Sequence, residues 1–415
     1  AVFAVVTIAN IYLIVFLLAG HVWPEVLAAG CYAFSHSGWF LGVQAQTYSM
    51  ANACMTAGWI LVLQYLRSDD KKYLIWMGLV FGIGVSAHMM SQVAFVVIMV
   101  WLLVRCLRKR ISVIFYLLII GAWFAGAILL WIVVGIEFER TGNLGGAIVS
   151  AIWGRWGQAV FNFGNMIGLF QKSALFFVLN FPTPLVLLAV PGIYKSFETQ
   201  KDKPIAKILF ASTIFYFLFA FRYDVPNQNN FFLPMYILVS VYIGLGFSYL
   251  FGIKNKAAVL VSGFLLVLIP PTYIALSEIA RAKEISLGTR RHVPYRDDYE
   301  YYLLPWQHTQ TGPRRLAEEL FDSVPQDSIV IADSTVHRVL NYVHNVEGQR
   351  PDITLFRSDV KYDHFLETAS EGERAFVMSD VKGYYPRWVN EDYKLKEFAI
   401  SDFEHVYEII SVEKK

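Results

Sequence analysis

Residues 72–110 read KYLIWMGLVFGIGVSAHMMSQVAFVVIMVWLLVRCLRKR, an apolar run with basic residues at both ends. As one helix, residues 73–104 would be about 48 Å long, which exceeds the roughly 30 Å core of a bilayer. Basic clusters collect on the cytoplasmic side, so a segment with two basic ends crosses an even number of times. We therefore predict two short helices that turn at AHMMSQ, residues 87–92, with His88 at the outer surface.

The remaining apolar runs extend this pattern along most of the chain. The sequence has 415 residues, of which 56% are hydrophobic and 16% are charged. This composition predicts a polytopic α-helical membrane protein with about ten spans. The predicted spans are residues 1–19, 25–35, 49–66, 73–87, 91–104, 111–135, 169–193, 207–221, 231–251 and 257–277.

The connections between these spans alternate in basic content, which predicts their orientation. One set holds 13 Lys or Arg residues, and the opposite set holds three, Arg140, Arg155 and Arg222. The basic set therefore faces the cytoplasm. Its members are residues 67–72, 105–110, 195–207 and 252–256. Everything after residue 278 then lies outside.

The charges divide the chain into two predicted domains. Residues 279–415 carry 24 of the 33 acids and 18 of the 35 bases, which predicts a membrane domain over 1–278 and an extracytoplasmic domain over 279–415. The second domain reads as a small α/β unit with a partly parallel sheet. Its predicted elements are a helix over 312–325, a strand over 328–333, a helix from 334, and strands over 352–356 and 375–380. Asp333, at a strand end, fits either a crevice site or a helix cap.

Several function classes lose support from the sequence. No Cys or His spacing resembles a metal cluster, no nucleotide-binding loop is present, and nothing indicates a nucleic-acid partner. The cysteines, Cys31, Cys54 and Cys106, precede the outer domain, so that domain is expected to have no disulfide. The acids of the first 278 residues fall at predicted span ends, with Glu25 on the cytoplasmic side. A transporter driven by ions usually has ionisable groups within its helices, so this class ranks third.

Three outer segments carry candidate binding residues. In FRYDVPNQNNFFLP, residues 221–234, one cation suits a phosphate and the amides suit hydroxyls, although the segment also fits an ordinary polar turn. In WGRWGQAVFNFGN, residues 153–165, aromatic residues surround a cation, although such residues also form membrane belts. FSHSGWFLGVQAQTYSM, residues 34–50, is polar without an ionised group and either binds ligand or completes helix ends. The candidate substrate-binding residues are His36, Gln44, Gln46, Tyr48, His88, Arg155, Arg222, Tyr223 and Asn227. His88 also fits an interfacial cap.

Five strings, in order, resemble landmarks of one family. They are AFSHSGWFLGVQAQTYSMANA (33–53), GLVFGIGVSAHMMSQVAF (78–95), YDVPNQNNFFLPMYI (223–237), VPYRDDYEYYLLPW (293–306) and LNYVHNVEGQRPDI (340–353). The family is the bacterial multi-pass family that is related to the animal transmembrane protein O-mannosyltransferases. These belong to the C-type glycosyltransferase superfamily, GT-C.

The resemblance implies transfer of a sugar from a polyprenyl-phosphate carrier to an acceptor on the outer face. It implies a catalytic acid in the first outer loop, which the resemblance places before Ala1, and in some members a divalent metal. It also places a glutamate where this chain has Gln46, and an amide cannot take a proton. Of the outer acids Glu137, Glu139 and Asp224, we predict Asp224 as the base because it is next to Arg222.

The resemblance therefore implies a GT-C hexosyltransferase, with mannose as one candidate sugar, in the bacterial inner membrane. The expected partners are membrane lipid, a lipid-linked sugar, and a protein or glycan acceptor. No cofactor is predicted with certainty, and a divalent metal stays open. The alternative is a non-catalytic scaffold subunit of a membrane complex that retains the GT-C fold.

Overall fold

The computed structural model describes residues 1–154, 164–198, 203–225, 227–252, 255–287, 295–368, 373–379, 382–398 and 406–411. The chain divides into two compact units. The first is Ala1–Ser277 with Leu303–Trp306, and the second is Glu278–Tyr302 with Gln307–Lys415. The assignment of one domain to lipid and the other to water stays a prediction.

The first unit is helical. Several of its helices begin where an asparagine side chain completes the first turn: Asn143, Asn165 and Asn255 each accept a hydrogen bond from the backbone N–H three residues on. The helices are α1 (Val2–Ala19), α2 (Val22–Ala33), α3 (His36–Gly42), α4 (Tyr48–Ser68), α5 (Lys72–Ala87), α6 (Gln92–Leu107), α7 (Val113–Gly126), α8 (Ile128–Thr141), α9 (Leu144–Trp153), α10 (Met166–Asn180), α11 (Ala189–Ser196), α12 (Lys203–Arg222), α13 (Leu233–Leu250), α14 (Lys256–Val267) and α15 (Ile269–Ala282).

The turn predicted within residues 73–104 is confirmed. Helix α5 ends at Ala87, the 3₁₀ turn Met89–Ser91 follows, and α6 begins at Gln92. Among the described residues, four helices are long and apolar enough to cross a membrane, and up to seven spans result if each of three bent pairs counts as one. The predicted count of about ten spans stays a prediction.

Three predicted spans are bent pairs of helices. The run 111–135 becomes α7 and α8, bent by 66°; the run 169–193 is bent by 105°, and the run 257–277 by 41°. Proline explains two of the breaks, because Pro184 and the Pro270–Pro271 pair lack the N–H that a continuous helix needs. Hydropathy does not show these bends, since both arms of each pair are apolar.

Helix α13 forms the centre of the first unit. Every residue from Leu233 to Phe247 is buried. Small residues allow close packing here, because a Cβ added at Gly192 would collide with the carbonyl oxygen of Tyr242, and one at Gly246 with that of Leu188. The short turn Gln228–Phe232 directly precedes α13, and the buried start of α13 fixes the end of this turn.

Glu25, which the sequence places at a span end on the cytoplasmic side, is fully buried in the first turn of α2. The side of the membrane on which it lies stays a prediction. The side chain faces Tyr12 of α1, and the position at a helix N-terminus is favourable for an acid. Glu25 does not line the large cavity described below.

The second unit contains a five-stranded sheet. The strand order is β2-β1-β3-β5-β4, in which β1 is parallel to β2 and β3, whereas β5 is antiparallel to β3 and β4. The predicted partly parallel sheet is therefore present. The helices and strands that follow α15 are α16 (Asp298–Leu303), α17 (Gly312–Ser323), β1 (Ile329–Ala332), α18 (Ser334–Asn341), β2 (Thr354–Arg357), α19 (Tyr362–Thr368), β3 (Ala375–Met378), α20 (Arg387–Asp392), β4 (Tyr393–Glu397) and β5 (Val406–Ser411).

Asp333 follows β1 and is a helix cap. Its Oδ1 accepts a hydrogen bond from the Thr335 N–H at 2.8 Å, at the start of α18. Its Oδ2 accepts a hydrogen bond from the Ser379 hydroxyl at 3.1 Å, which ties the ends of β1 and β3 together. Of the two roles that the sequence left open for Asp333, the structure shows the cap.

Candidate functional site

A cavity of about 1410 Å³ lies in the first unit, between α6, α9 and α12. We call it the groove. One face of α12 forms its long wall, through Lys207, Ala211, Phe215, Leu218 and Arg222. These residues recur every three or four positions, which places them on one side of the helix. Lys207 and Arg222 are fifteen residues apart, so the groove follows α12 for about 22 Å.

Helix α6 forms the facing wall, and it is apolar. Val93, Val96, Val97, Val100 and Trp101 line the groove from this side. Several wall residues are also exposed, with 57% of Val96 and 57% of Val100 accessible. The groove is therefore open sideways, and in a bilayer this opening would face acyl chains.

Polar side chains meet at the end of the groove where α12 finishes. We call this the polar end; its residues are Tyr48, His88, Arg222, Tyr223 and Asn227. Aromatic contacts hold two of them together, since the rings of Tyr48 and His88 lie 4.6 Å apart between centroids. The polar end thus offers hydroxyl, imidazole, guanidinium and amide groups in one place.

The turn after α12 brings its polar residues back towards the groove. Gln228 is buried, and its side-chain amide donates hydrogen bonds to the carbonyl oxygens of Ala220 and Phe221, at 2.8 and 3.1 Å. These bonds replace partners that the last turn of α12 would otherwise lack. Phe231 in this turn packs on Tyr223, with ring centroids 4.6 Å apart. The segment is therefore a fixed wall of the polar end.

His88 has a defined tautomer. The Met90 N–H donates to its Nδ1 at 3.1 Å, so in the neutral ring the proton is on Nε2. His88 lies in the connection between α5 and α6, and burial lowers the pKa of its imidazole to about 4. Near neutral pH the ring is therefore uncharged. The predicted capping role is present, and the same ring lines the groove.

The charge of the groove favours an anion. Arg222 and Lys207 are the cations among its lining residues, and no Asp or Glu is among the lining residues that the structure describes. An anionic group at the polar end would face a guanidinium without a competing carboxylate in the wall. Arginine suits phosphate because its planar donors can form two parallel hydrogen bonds.

The structure brings together five of the nine predicted binding residues, those of the polar end. His36 lies elsewhere, buried in α3 with its ring stacked on Phe40 at 5.7 Å between centroids. Gln44 is half-buried and Gln46 is exposed; neither lines the groove. The ninth, Arg155, lies outside the described residues. The site assignments stay predictions.

The segment predicted as a polar outer loop, residues 34–50, contains helix α3. Ser35 starts this helix by accepting a hydrogen bond from the Gly38 N–H at 3.3 Å. The Ser37 N–H donates to Asn180 Oδ1 at 2.8 Å. Part of the polarity of this segment therefore completes helix ends. Only Tyr48, at the start of α4, lines the groove from this stretch.

Asp224, the predicted base, is beside the groove rather than in its wall. Its Oδ1 lies 3.1 Å from Lys172 Nζ, and 44% of the side chain is exposed. Its chain neighbours Tyr223 and Val225 both line the groove. Asp224 is therefore near the polar end but engaged with a cation of α10.

Sequence reasoning missed the groove walls. Val96, Val100, Trp101 and Phe215 were treated only as members of apolar spans, and Lys207 as one of the cytoplasmic bases. The available signal was the interval of three or four residues along each span. That interval identifies a face of a helix but not the helix opposite it.

No group of three or more His, Cys, Asp or Glu side chains that could hold a metal ion occurs within the described part of the chain. The residues of the polar end include one His and no acid. These residues do not form a donor set typical of Mg²⁺ or Mn²⁺, which favours oxygen ligands.

Two comparisons of the sequence with known proteins find similarity to protein O-mannosyl-transferases. Residues 1–112 match the family model of the protein O-mannosyl-transferase TMEM260 N-terminal domain. Protein O-mannosyl-transferase tmem260 of Dictyostelium discoideum is 22% identical over 445 residues, which cover 94% of this chain and 52% of that protein. The chain thus spans about half the length of this curated relative.

Two solved structures of ArnT from Cupriavidus metallidurans are similar in fold. The one bound to undecaprenyl phosphate has a TM-score of 0.57 at 11% identity and covers 100% of this chain and 83% of that chain. The apo structure has a TM-score of 0.51 at 13% identity and covers 98% of this chain and 82% of that chain. The predicted GT-C membrane fold and the resemblance to O-mannosyltransferases are confirmed, and the chain is an integral membrane protein.

Proposed function

We propose that this chain contains the membrane domain of a GT-C glycosyltransferase that moves a hexose from a polyprenyl-phosphate carrier to an acceptor outside the cytoplasm. The groove carries the proposal. It offers about 22 Å of apolar wall along α12 and a guanidinium at one end, without a carboxylate among its described lining residues. A long isoprenoid with one phosphate has the matching shape and charge.

The carrier occupies the groove with its phosphate at the polar end. Arg222 pairs with the phosphate, and the Nε2–H of His88 and the amide of Asn227 are neutral donors to the phosphate or to the sugar hydroxyls. The isoprenoid contacts the valines of α6 and Phe215 of α12. The ArnT structure that is bound to undecaprenyl phosphate supports a ligand of this class.

Mannose is the proposed sugar, and a protein hydroxyl the proposed acceptor. The support comes from the O-mannosyl-transferase relatives of this chain. Transfer to a hydroxyl needs a base for its proton. Asp224 is the proposed base within this chain, because it adjoins the polar end, whereas Gln46 is an exposed amide that cannot take a proton.

The carrier-binding role of Arg222 predicts a graded response to substitution. Arg222→Ala should weaken binding of a polyprenyl phosphate by about 1.5 to 3 kcal/mol, the contribution of a charge-assisted hydrogen bond, or roughly tenfold to 150-fold. Arg222→Lys should recover part of the loss, since it keeps the charge but not a bidentate contact. Binding to the purified protein measures both.

Lys172→Ala is the matched control, because Lys172 pairs with Asp224 beside the groove but does not line it. Its carrier affinity should stay near that of the unmodified protein. Equal affinities for the unmodified protein and both Arg222 variants would remove Arg222 from the site.

The proposed location is the bacterial inner membrane, with the second unit on the extracytoplasmic side. The support is the distribution of bases, with 13 in one set of connections and three in the other. In this orientation the polar end of the groove opens outside. Transfer then takes place on the outer face.

Cysteine accessibility tests this orientation. In a background without Cys31, Cys54 and Cys106, cysteines at Asn227 and Ser323 should react with an impermeant thiol reagent in intact cells, and one at Asp70 should react only after permeabilisation. Asn227 and Asp70 both lie in connections between helices. Labelling of Asp70 in intact cells would reverse the proposed orientation.

A non-catalytic scaffold subunit is the second candidate. The observations that favour it are Gln46 in place of the family glutamate and the lack of an acid among the described groove-lining residues. Such a subunit would still bind the carrier. Turnover therefore separates the two candidates, whereas carrier binding does not.

A further inference from the structure

Tyr216 of α12 places its hydroxyl group between two backbone groups of the opposite segment. The side chain is fully buried and does not line the groove. Its hydroxyl accepts a hydrogen bond from the Ala94 N–H at 3.2 Å and donates to the Met90 carbonyl oxygen at 3.1 Å. Met55 Sδ also lies 3.0 Å from the hydroxyl, but a thioether is a weak acceptor. The Met90 carbonyl is therefore the main acceptor of the hydroxyl proton.

The bridged groups belong to the junction between the 3₁₀ turn Met89–Ser91 and α6. Met90 and Ala94 are four residues apart, which is the spacing of acceptor and donor in an α-helix. Ser91, at the N-cap position of α6, makes no side-chain capping bond, and the N–H groups of a first helical turn need partners from outside the helix. Tyr216 supplies one such partner. Its hydroxyl thus fixes the start of α6 to α12.

Met90 connects Tyr216 to His88. The Met90 carbonyl oxygen is bonded to the Tyr216 hydroxyl, and the Met90 N–H donates to His88 Nδ1 at 3.1 Å. The turn holds His88 at a second point, because the Ser91 hydroxyl donates to the His88 carbonyl oxygen at 3.2 Å. Two hydrogen bonds through one residue therefore join α12 to an imidazole that lines the groove.

Tyr216 is on the same helix as Arg222. The two residues are six positions apart on α12, which is about 9 Å along the axis. At the polar end, Arg222 comes from α12 and His88 from the turn before α6. Because the Tyr216 hydroxyl joins this turn to α12, it sets where the His88 ring lies relative to the guanidinium.

We propose that Tyr216 is a positioning residue of the polar end, which holds the His88 Nε2–H in place to donate to the head group of the carrier beside Arg222. The inference rests on the proposed carrier site. Tyr216 does not contact the carrier, since its side chain is buried outside the groove lining. Carrier affinity therefore depends on a hydroxyl that the ligand does not reach, and the dependence acts through His88.

The first test is a double-mutant cycle on the binding of a polyprenyl phosphate by the purified full-length protein. Tyr216→Phe keeps the ring and removes the hydroxyl. It should weaken binding by about tenfold, the usual effect of one hydrogen bond to a charged group, and His88→Ala should have a similar effect. If Tyr216 acts through His88, the double variant binds no more weakly than His88→Ala alone. Two independent losses would instead multiply to about a hundredfold, and that result would overturn the proposal.

Tyr242→Phe is the matched control for the loss of a buried hydroxyl. Tyr242 is a buried tyrosine of α13, its hydroxyl is near the Thr213 side chain, and it does not line the groove. Tyr242→Phe should leave carrier affinity unchanged. If it weakens carrier binding as much as Tyr216→Phe does, the effect is a general one of the bundle and the proposal is wrong.

A second measurement needs no carrier. Nitrogen-15 spectra of histidine-labelled protein show which ring nitrogen of His88 carries the proton, and His88→Ala assigns the signal. The unmodified protein and Tyr242→Phe should show the Nε2–H form, and Tyr216→Phe a mixture of both forms, because the Met90 N–H no longer holds Nδ1 in place.

The spectra separate this inference from the proposed function. No carrier binding by the unmodified protein would remove the proposed function, whereas the placement of His88 by Tyr216 is still decided by the spectra. An unchanged Nε2–H form in Tyr216→Phe contradicts the proposal. So does an Nδ1–H form in the unmodified protein, a result that does not require any variant to fold.

Discussion

Replacing Ala211 with tryptophan should lower the affinity for a long polyprenyl phosphate by about a hundredfold or more. Ala211 is on the groove face of α12, between Lys207 and Phe215. An indole there occupies the space of the isoprenoid chain. Excluding about four methylene-sized groups from an apolar wall, at roughly 0.8 kcal/mol each, gives about 3 kcal/mol, or more than a hundredfold.

Two controls make the Ala211→Trp result specific. Phe210→Trp adds the same ring one position away, where the side chain packs on Phe197 and does not line the groove; carrier affinity should be nearly unchanged. A short-chain phosphate that reaches only the polar end should bind Ala211→Trp as well as the unmodified protein. Unchanged affinity of Ala211→Trp for the long carrier would remove the groove from the proposed site.

Turnover should fall by about 10² to 10⁴ in Asp224→Asn, the usual contribution of proton transfer by a positioned side chain, while carrier binding is nearly kept. Asn cannot take a proton from the acceptor hydroxyl, although it has almost the same shape. The measurement is release of polyprenyl phosphate from a labelled polyprenyl-phosphate sugar by the full-length protein.

Lys172→Met separates catalysis from ion pairing for Asp224. It breaks the same 3.1 Å pair but keeps the carboxylate, and an exposed pair contributes only about 0 to 1 kcal/mol. Lys172→Met should therefore keep most of the turnover. If both variants lose turnover equally, the ion pair rather than the base is responsible. If neither does, Asp224 is not the base.

Gln46→Glu tests the scaffold candidate in the same assay. In an active site the restored acid should alter turnover or its pH dependence, whereas in a scaffold it only adds an exposed carboxylate. No turnover by the full-length protein with a range of carriers, together with no effect of Gln46→Glu, would support the scaffold.

The sequence by itself predicted the fold class and much of the polar end. Apolar runs with basic ends predict a helical membrane protein, because removing apolar side chains from water dominates insertion and orientation follows the bases. The turn at His88 and the segment with Arg222, Tyr223 and Asn227 were visible for the same reason: polar residues between apolar runs lie at span ends. The five resembling strings added the GT-C assignment.

Only the tertiary structure showed which helices face each other. Hydropathy distinguishes lipid from water, but every helix of a bundle is apolar on its packed and its lipid sides alike. It therefore did not pair α6 with α12, nor show that Trp101 and Lys207 share a groove with Arg222. The same limit explains why His36 was predicted as a binding residue, although its polar ring packs inside the bundle. The groove exists because one face of α6 lies beside one face of α12, and their pairing depends on contacts between residues far apart in the chain.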